Sequence, residues 1–385
     1  MKFYPAFKPS FSKKVKSSLQ NCIDELAISG NYGGSLIDLE KQYSNYHNNF
    51  FSISCSNGTA ALHLACLGLG INEKHTVVVP STTNMATFFA PMYTGAKVIS
   101  CDVDPKSGLI NLECLESICL TEKVDFVFIV HLYGHVVNPY HVKKISNKFG
   151  FKVVEDCAEA HFASFDNNHN YVGSHFDASC FSFYANKIIS GGEGGIVLFK
   201  SEENFKTAKN LKNLGFSIDI NSPSKFYHNK IGFNYRLPNT VAALICDSLE
   251  NKNEILKKRQ KIAHWYDTYF EEKIYIELLY SKLSSYRVNW VYCIKINKKY
   301  LNKFKSKNVF LSKLSKLGVE ARDFFYPAEL QPFYIEYSKK RNYSTLPNKK
   351  ALAFYQGSVY LPVYLDLTED DVKDICNIVD KLLLT

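Results

Sequence analysis

No stretch of these 385 residues is apolar for long enough to cross a bilayer. The longest apolar run, around Val124 to Tyr133, is interrupted by Asp125 and His131, so no transmembrane helix is predicted. The opening residues Met1-Lys2-Phe3-Tyr4-Pro5 lead into charged and polar positions rather than an apolar signal core, and the expected location is the cytoplasm. Cysteines at CxxC spacing are absent and no histidines cluster at metal-ligand spacing, so no metal is expected. The 11 cysteines are scattered singly from Cys22 to Cys376, an odd number that fits reduced core thiols better than a disulfide framework. Internal repeats, low-complexity segments and nucleic-acid-binding patterns are also missing.

What is present describes a folded globular chain. Hydrophobic residues make up 46% and charged residues 22%, a composition that can build a sizeable core. The length suits one large domain with a smaller partner. Lys and Arg (46) exceed Asp and Glu (37) by +9. Such a field favours an anionic substrate, for example a nucleotide diphosphate sugar. The basic runs Lys257-Lys258, Lys298-Lys299 and Lys339-Lys340-Arg341 also read as solvated helix faces.

Short β-branched or aromatic runs alternate with helical patterns: Val77 to Val79, Val98 to Cys101, Phe126 to Val130, Lys152 to Glu155, Cys180 to Phe183 and Gly195 to Phe199. Continuous apolar strands separated by helices predict an α/β domain with a mostly parallel central sheet flanked by helices. Between Asn57 and Gly70 an Asn stands at the front and a Gly at the back of an apolar stretch, predicting a buried, capped helix. Its N-terminus offers free N–H groups and a positive dipole end to an anion. From about Asn251 an amphipathic helix (Ile255, Ile262, Trp265, Tyr269) leads into Lys-rich sequence. The expected division is a large domain over 1–250 and a small C-terminal α+β domain over 251–385.

Two segments carry chemistry. In Phe181-Ser182-Phe183-Tyr184-Ala185-Asn186-Lys187 a lysine ends a buried aromatic strand, and Gly191-Gly192-Glu193-Gly194-Gly195 follows. That setting suits a Schiff-base lysine, since partial burial tunes the amine and glycines let backbone approach a cofactor. In Val153-Val154-Glu155-Asp156-Cys157-Ala158-Glu159-Ala160-His161 acids sit at the C-terminal end of a strand, where open α/β sheets bind ligands. Asp156 could face the pyridine nitrogen of pyridoxal 5'-phosphate (PLP), whose protonated ring acts as an electron sink. Each piece has a plain reading: Lys187 reaching out of a turn, Asp156 capping a helix, Gly58-Thr59 an ordinary turn, Glu159 a surface acid. Their order favours a site for an aldehyde cofactor with a phosphate tail.

These segments, with His131-Leu132-Tyr133-Gly134-His135, Gly232-Phe233-Asn234-Tyr235-Arg236 and Phe325-Tyr326-Pro327, resemble the DegT/DnrJ/EryC1/StrS family of sugar aminotransferases from about Tyr32 to Pro362. The resemblance implies fold type I of PLP enzymes, PLP as cofactor with pyridoxamine phosphate as its intermediate form, and a homodimer. It makes Lys187 the Schiff-base and proton-shuttling lysine, Asp156 the partner of the pyridine nitrogen and Glu159 a contact of the phenolic oxygen. Gly58, Thr59 and Ser182 would hold the phosphate, with Asn234 reaching it from the neighbouring subunit. His161, Tyr326 and Tyr32 would be substrate contacts. Asn84 stands where relatives place an aromatic residue on the cofactor ring, Cys157 replaces an Ala, and Phe162 a small Gly. The implied reaction moves an amino group from L-glutamate to a keto sugar nucleotide, nearest in pattern to the branch that aminates GDP-4-keto-6-deoxymannose. Rival acceptors are a UDP- or dTDP-linked keto sugar or a small phosphorylated ketone such as dihydroxyacetone phosphate. A rival of another class is a non-catalytic PLP-binding regulatory protein. The family's 3-dehydratase branch carries His at the lysine position, and Lys187 argues against it.

Overall fold

The computed structural model describes residues 2–385 apart from 167–169, 218, 220, 280–286 and 342–347. Seven strands form the central sheet: β1 (Phe51–Cys55), β2 (Thr76–Pro80), β3 (Lys97–Cys101), β4 (Phe126–Val130), β5 (Lys152–Asp156), β6 (Ala178–Ser182) and β7 (Gly195–Phe199). Their order is β1-β7-β6-β5-β4-β2-β3. Five run parallel from β6 to β3, and β7 pairs antiparallel with both β6 and β1. The expected mostly parallel sheet is therefore found, with one reversed strand.

All five residues of β4 are buried. Phe126 and Phe128 join a core on one face, together with Ala61, Leu64 and Val154, while Val127 and Ile129 join a core on the other with Leu115 and Val142. That alternation is the pleat of a strand covered by helices on both sides, which is why it reads as a continuous apolar run. The strand missing from the sequence reading is β1, where Ser52 and Ser54 break the apolar signal. Glu40 satisfies both: the Ser52 hydroxyl donates to its backbone oxygen (2.6 Å), and Ser54 donates to Oε1 from its backbone N–H (2.8 Å) and hydroxyl (2.7 Å).

The capped helix is present as α1 (Gly58–Gly68), with the Asn57 side chain accepting from the Ala60 N–H at 2.8 Å. It follows β1 and packs its alanines into the core, so its N-terminus opens at the C-terminal edge of the parallel strands. A short α2 (Ala86–Tyr93) follows β2. The long helix at the expected position is α3 (Lys252–Phe270), and Ile255, Ile262, Tyr266 and Phe270 form its buried side.

A second sheet contains β8 (Ile276–Leu278), β9 (Tyr292–Ile296), β10 (Arg322–Asp323) and β11 (Ser358–Leu361) in the order β10-β11-β9-β8, all antiparallel. The last helix, α4 (Glu369–Leu384), starts with a capping box between Thr368 and Asp371 and packs on α3. Tyr4 lies in the same core as these elements. The segment after β10 returns to the central sheet. Buried Glu329 accepts from the Ser81 hydroxyl (2.6 Å) and the Ser100 hydroxyl (3.0 Å), and the Phe325 N–H donates to Tyr133 Oη at 3.0 Å. These bonds fix the second sheet's edge over the C-terminal ends of the parallel strands.

Candidate active site

A cavity of about 360 Å³ opens at that edge. Val130, Asp156 and Ser182 close it where β4, β5 and β6 end, Gly58 and Thr59 enter from α1, and Trp290, Arg322, Phe325 and Tyr360 come from the second sheet's side. It gathers seven of the expected residues: Gly58, Thr59, Asn84, Asp156, Glu159, Ser182 and Lys187. A larger recess of about 660 Å³ beside β8 and β9 gathers none of them.

Lys187 does not end β6; it lies in the loop five residues after Ser182, before the glycines turn the chain into β7. Its Nζ donates to Glu159 Oε1 at 3.4 Å and stands 3.9 Å from the centre of the Trp290 ring. Glu159 Oε2 also accepts the Tyr133 N–H at 2.9 Å. Burial pushes the Glu159 carboxyl up from its ordinary value, and the Lys187 ammonium and the Tyr133 N–H work against that rise. Tyr133 reaches this position through a left-handed backbone (φ +54), and Gly134 follows at φ +87. A Cβ on Gly134 would lie 1.7 Å from the Val288 carbonyl oxygen, so only glycine fits there.

Asp156 is buried, and its Oδ2 accepts from the Thr87 hydroxyl at 2.8 Å while Oδ1 accepts the Ala158 N–H at 3.1 Å. Thr87 has one hydroxyl hydrogen, already given to Asp156, so its contact with Thr83 Oγ1 (2.9 Å) makes Thr83 the donor. Burial raises the Asp156 carboxyl above its ordinary value, against the lowering effect of these two donors. The nearby Lys187 ion-pairs with Glu159 instead.

Gly58 packs directly against Ser182: a Cβ added there would lie 2.8 Å from the Ser182 Cβ. His161, expected at the substrate, is buried behind this contact and does not line the cavity. Its Nε2 donates to the Ser182 carbonyl at 2.8 Å, so Nδ1 is the acceptor for the Tyr43 hydroxyl, also 2.8 Å away. Burial pushes its pKa down to about 3, which keeps the ring neutral. Asn84 lines the cavity and spends its Oδ1 on the Ala86 N–H at 3.0 Å. The remaining expected residues lie outside. Tyr326 sets its ring edge-on to Tyr355 at 5.0 Å, the Tyr32 hydroxyl donates to the Leu26 carbonyl at 3.0 Å, and exposed Asn234 pairs its backbone with Asn213.

One group of potential metal ligands occurs among the described residues: His131, Glu155 and Cys157, all buried. Its hydrogen bonds are already internal. His131 Nδ1 accepts the Val137 N–H (3.2 Å), which leaves Nε2 to donate to Glu155 (3.2 Å), and Glu155 also accepts from the Gly173 and His175 N–H groups.

Residues 12–380 match the DegT/DnrJ/EryC1/StrS aminotransferase family, nearly the full length. The chain belongs to that family. It is 29% identical over 383 residues to GDP-perosamine synthase of Escherichia coli O157:H7, with 99% of each chain covered. It is 27% identical over 257 residues to UDP-2-acetamido-2-deoxy-3-oxo-D-glucuronate aminotransferase of Pseudomonas aeruginosa, covering 66% of this chain and 69% of that one. Helicobacter pylori PseC, an aminotransferase involved in the biosynthesis of pseudoaminic acid, matches with a TM-score of 0.89 at 22% identity over 100% of both chains, which establishes the shared fold. The protein is thus a sugar aminotransferase with the expected α/β architecture.

Thr87 and Trp290 of this aminotransferase were not anticipated. Thr87 lies in α2, 69 residues before the carboxylate it bonds. Trp290 donates its indole N–H to the Asn186 carbonyl at 2.7 Å and lies parallel to Tyr133 at 6.1 Å. Being one of two tryptophans in the chain was the only available signal.

Proposed function

We propose that this sugar aminotransferase holds PLP in the 360 Å³ cavity and transfers an amino group from L-glutamate to a keto sugar nucleotide, GDP-4-keto-6-deoxymannose being the first candidate. The observation that carries the reading is Asp156, a buried carboxylate with two hydrogen-bond donors and, among the described residues, no basic side chain in ion-pair contact. A protonated pyridine nitrogen would supply the missing positive charge. The bare Gly58 surface against Ser182 supports a phosphate recess, with Thr59 and the start of α1 as donors.

When bound, the cofactor supplies a carbonyl that exchanges for an amine and a ring that accepts electrons. The chain supplies the rest. Lys187 Nζ is the amine that anchors the cofactor, and afterwards takes up and returns a proton; Glu159, 3.4 Å away, holds that amine in place. Thr83 and Thr87 orient Asp156 from below. Arg322 at the rim offers a cation to the acceptor's diphosphate. Asn234 acts from the partner subunit of a homodimer, which accounts for its distance from this chain's own cavity. The reading also keeps a large domain over 1–250, a small one over 251–385 and a cytoplasmic setting.

The test loads the protein with pyridoxamine phosphate and offers a panel of GDP-, UDP- and dTDP-linked keto sugars and dihydroxyacetone phosphate. The GDP-4-keto-6-deoxy sugar should restore the absorbance of the lysine-bound cofactor fastest. Restoration by a different member reassigns the acceptor, and restoration by none, with no response to glutamate, removes the catalytic reading.

A further inference from the structure

A third, much smaller cavity of about 20 Å³ adjoins Asn186, Lys187, Arg259 and Ser248 and is lined on its outer side by Lys8 and Ser10 of the N-terminal segment. Arg259 comes from α3 and is buried, with 6% of its surface exposed. Its Nη1 donates to the carbonyls of Asn289 (3.3 Å) and Trp290 (2.7 Å), but its Nε has no partner among the described residues. Every Asp and Glu of the chain is among the described residues, and none forms an ion pair with Arg259. A guanidinium taken out of water without a counter-charge is costly, and burial alone pushes its pKa down to about 10.

No acid lines this cavity. Lys8 is paired with Asp366 and Lys187 with Glu159, which leaves Arg259 as the uncompensated charge. Further donors converge on the same space. Ser248 Oγ accepts the Ser190 N–H at 3.2 Å, so its own hydroxyl hydrogen is available. The half-buried Asn186 leaves a buried Oδ1 unpartnered, and half a turn about its last bond presents an N–H₂ donor instead. The volume suits one small particle, a water or a monatomic ion.

We propose that this cavity is a binding site for a single small monovalent anion, held by Arg259 Nε, Ser248 and the Asn186 amide. Chloride is the probe. The ion neutralises Arg259 and ties α3 to the loop carrying Lys187, through Asn186 on one side and the Trp290 carbonyl on the other. The site adjoins the 360 Å³ cavity, with Asn186 and Lys187 in the lining of both, and does not depend on which ketone the enzyme aminates.

Crystals of the full chain grown in bromide should show an anomalous peak in contact with Arg259 Nε. In solution the melting temperature of the wild type should rise saturably with chloride relative to gluconate at equal ionic strength, and the two curves should coincide for Arg259→Met. If that variant does not fold, Ser248→Ala, which keeps the charge, should raise the half-saturating chloride several-fold. A water in the cavity with no bromide peak, or equal chloride and gluconate curves for the wild type, would overturn the proposal. A peak at molar bromide without a halide-specific melting shift would mark an adventitious ion only and overturn it as well.

Discussion

Replacing Thr87 with Val isolates the hydrogen bond on which the proposed cofactor site depends. The shape is kept and only the hydroxyl goes, so no cavity is created. The lost bond is 2.8 Å long, fully buried and made to a carboxylate, and such bonds contribute about 1.5–3 kcal/mol. Without it Asp156 keeps one donor, Ala158, and burial raises its carboxyl further. A protonated Asp156 no longer offers a charge to a protonated pyridine nitrogen. The affinity for PLP should therefore fall roughly 10- to 150-fold, and fall most at the acidic end of the working range. Equilibrium titration of the protein with PLP, followed by absorbance at several pH values, measures this directly. Thr87→Ser should restore most of the affinity. The reasoning fails if Thr87→Val binds PLP within two-fold of the wild type at every pH while Asp156→Asn loses binding.

Trp290→Phe keeps a ring over Lys187 but removes the indole N–H from the half-buried Asn186 carbonyl. Urea unfolding should report a loss of about 0.5–1.5 kcal/mol, the net contribution of that hydrogen bond; an unchanged midpoint would show that the bond adds nothing. His47 and His161 are both buried and held neutral, with pKa values pushed down by burial to about 4 and about 3. The unfolded chain takes up these protons near pH 6.5 and the folded one does not, so stability is lost as pH falls below that value. Each histidine should cost about 1.4 kcal/mol by pH 5.5 relative to pH 8. The raised carboxyls of Asp156 and Glu159 have the opposite sign and offset part of this. The difference between wild type and His161→Gln in urea midpoint, measured from pH 8 to 5, isolates one histidine, and a difference independent of pH would contradict its neutral state.

The parts of the site that sequence made legible are those where one local rule decides the residue. Asp156 ends a short strand whose centre is the apolar pair Val153-Val154, and Asn57 precedes a helix it caps. The parts that stayed hidden depend on long-range partners. Ser52 and Ser54 disguise β1 because their partner, Glu40, lies on another element. His161 follows the acidic run in sequence, yet its ring turns back to Tyr43 and the Ser182 carbonyl. Tyr326 sits beside a proline near the cavity, yet its ring meets Tyr355. Phe162, in a position suited to glycine, holds φ +63 and packs its ring on Tyr46 and Tyr171, at 5.3 Å from each. That packing offsets a backbone strain of about 1–2 kcal/mol, and no local pattern announces it.

The central claim is that Lys187 is the amine that anchors the cofactor. Borohydride reduction of the PLP-loaded protein followed by peptide mass spectrometry tests it in one step. The account predicts a single reduced cofactor adduct, on the peptide containing Lys187, and none in Lys187→Ala. An adduct on a different lysine, or its persistence in Lys187→Ala, would contradict it.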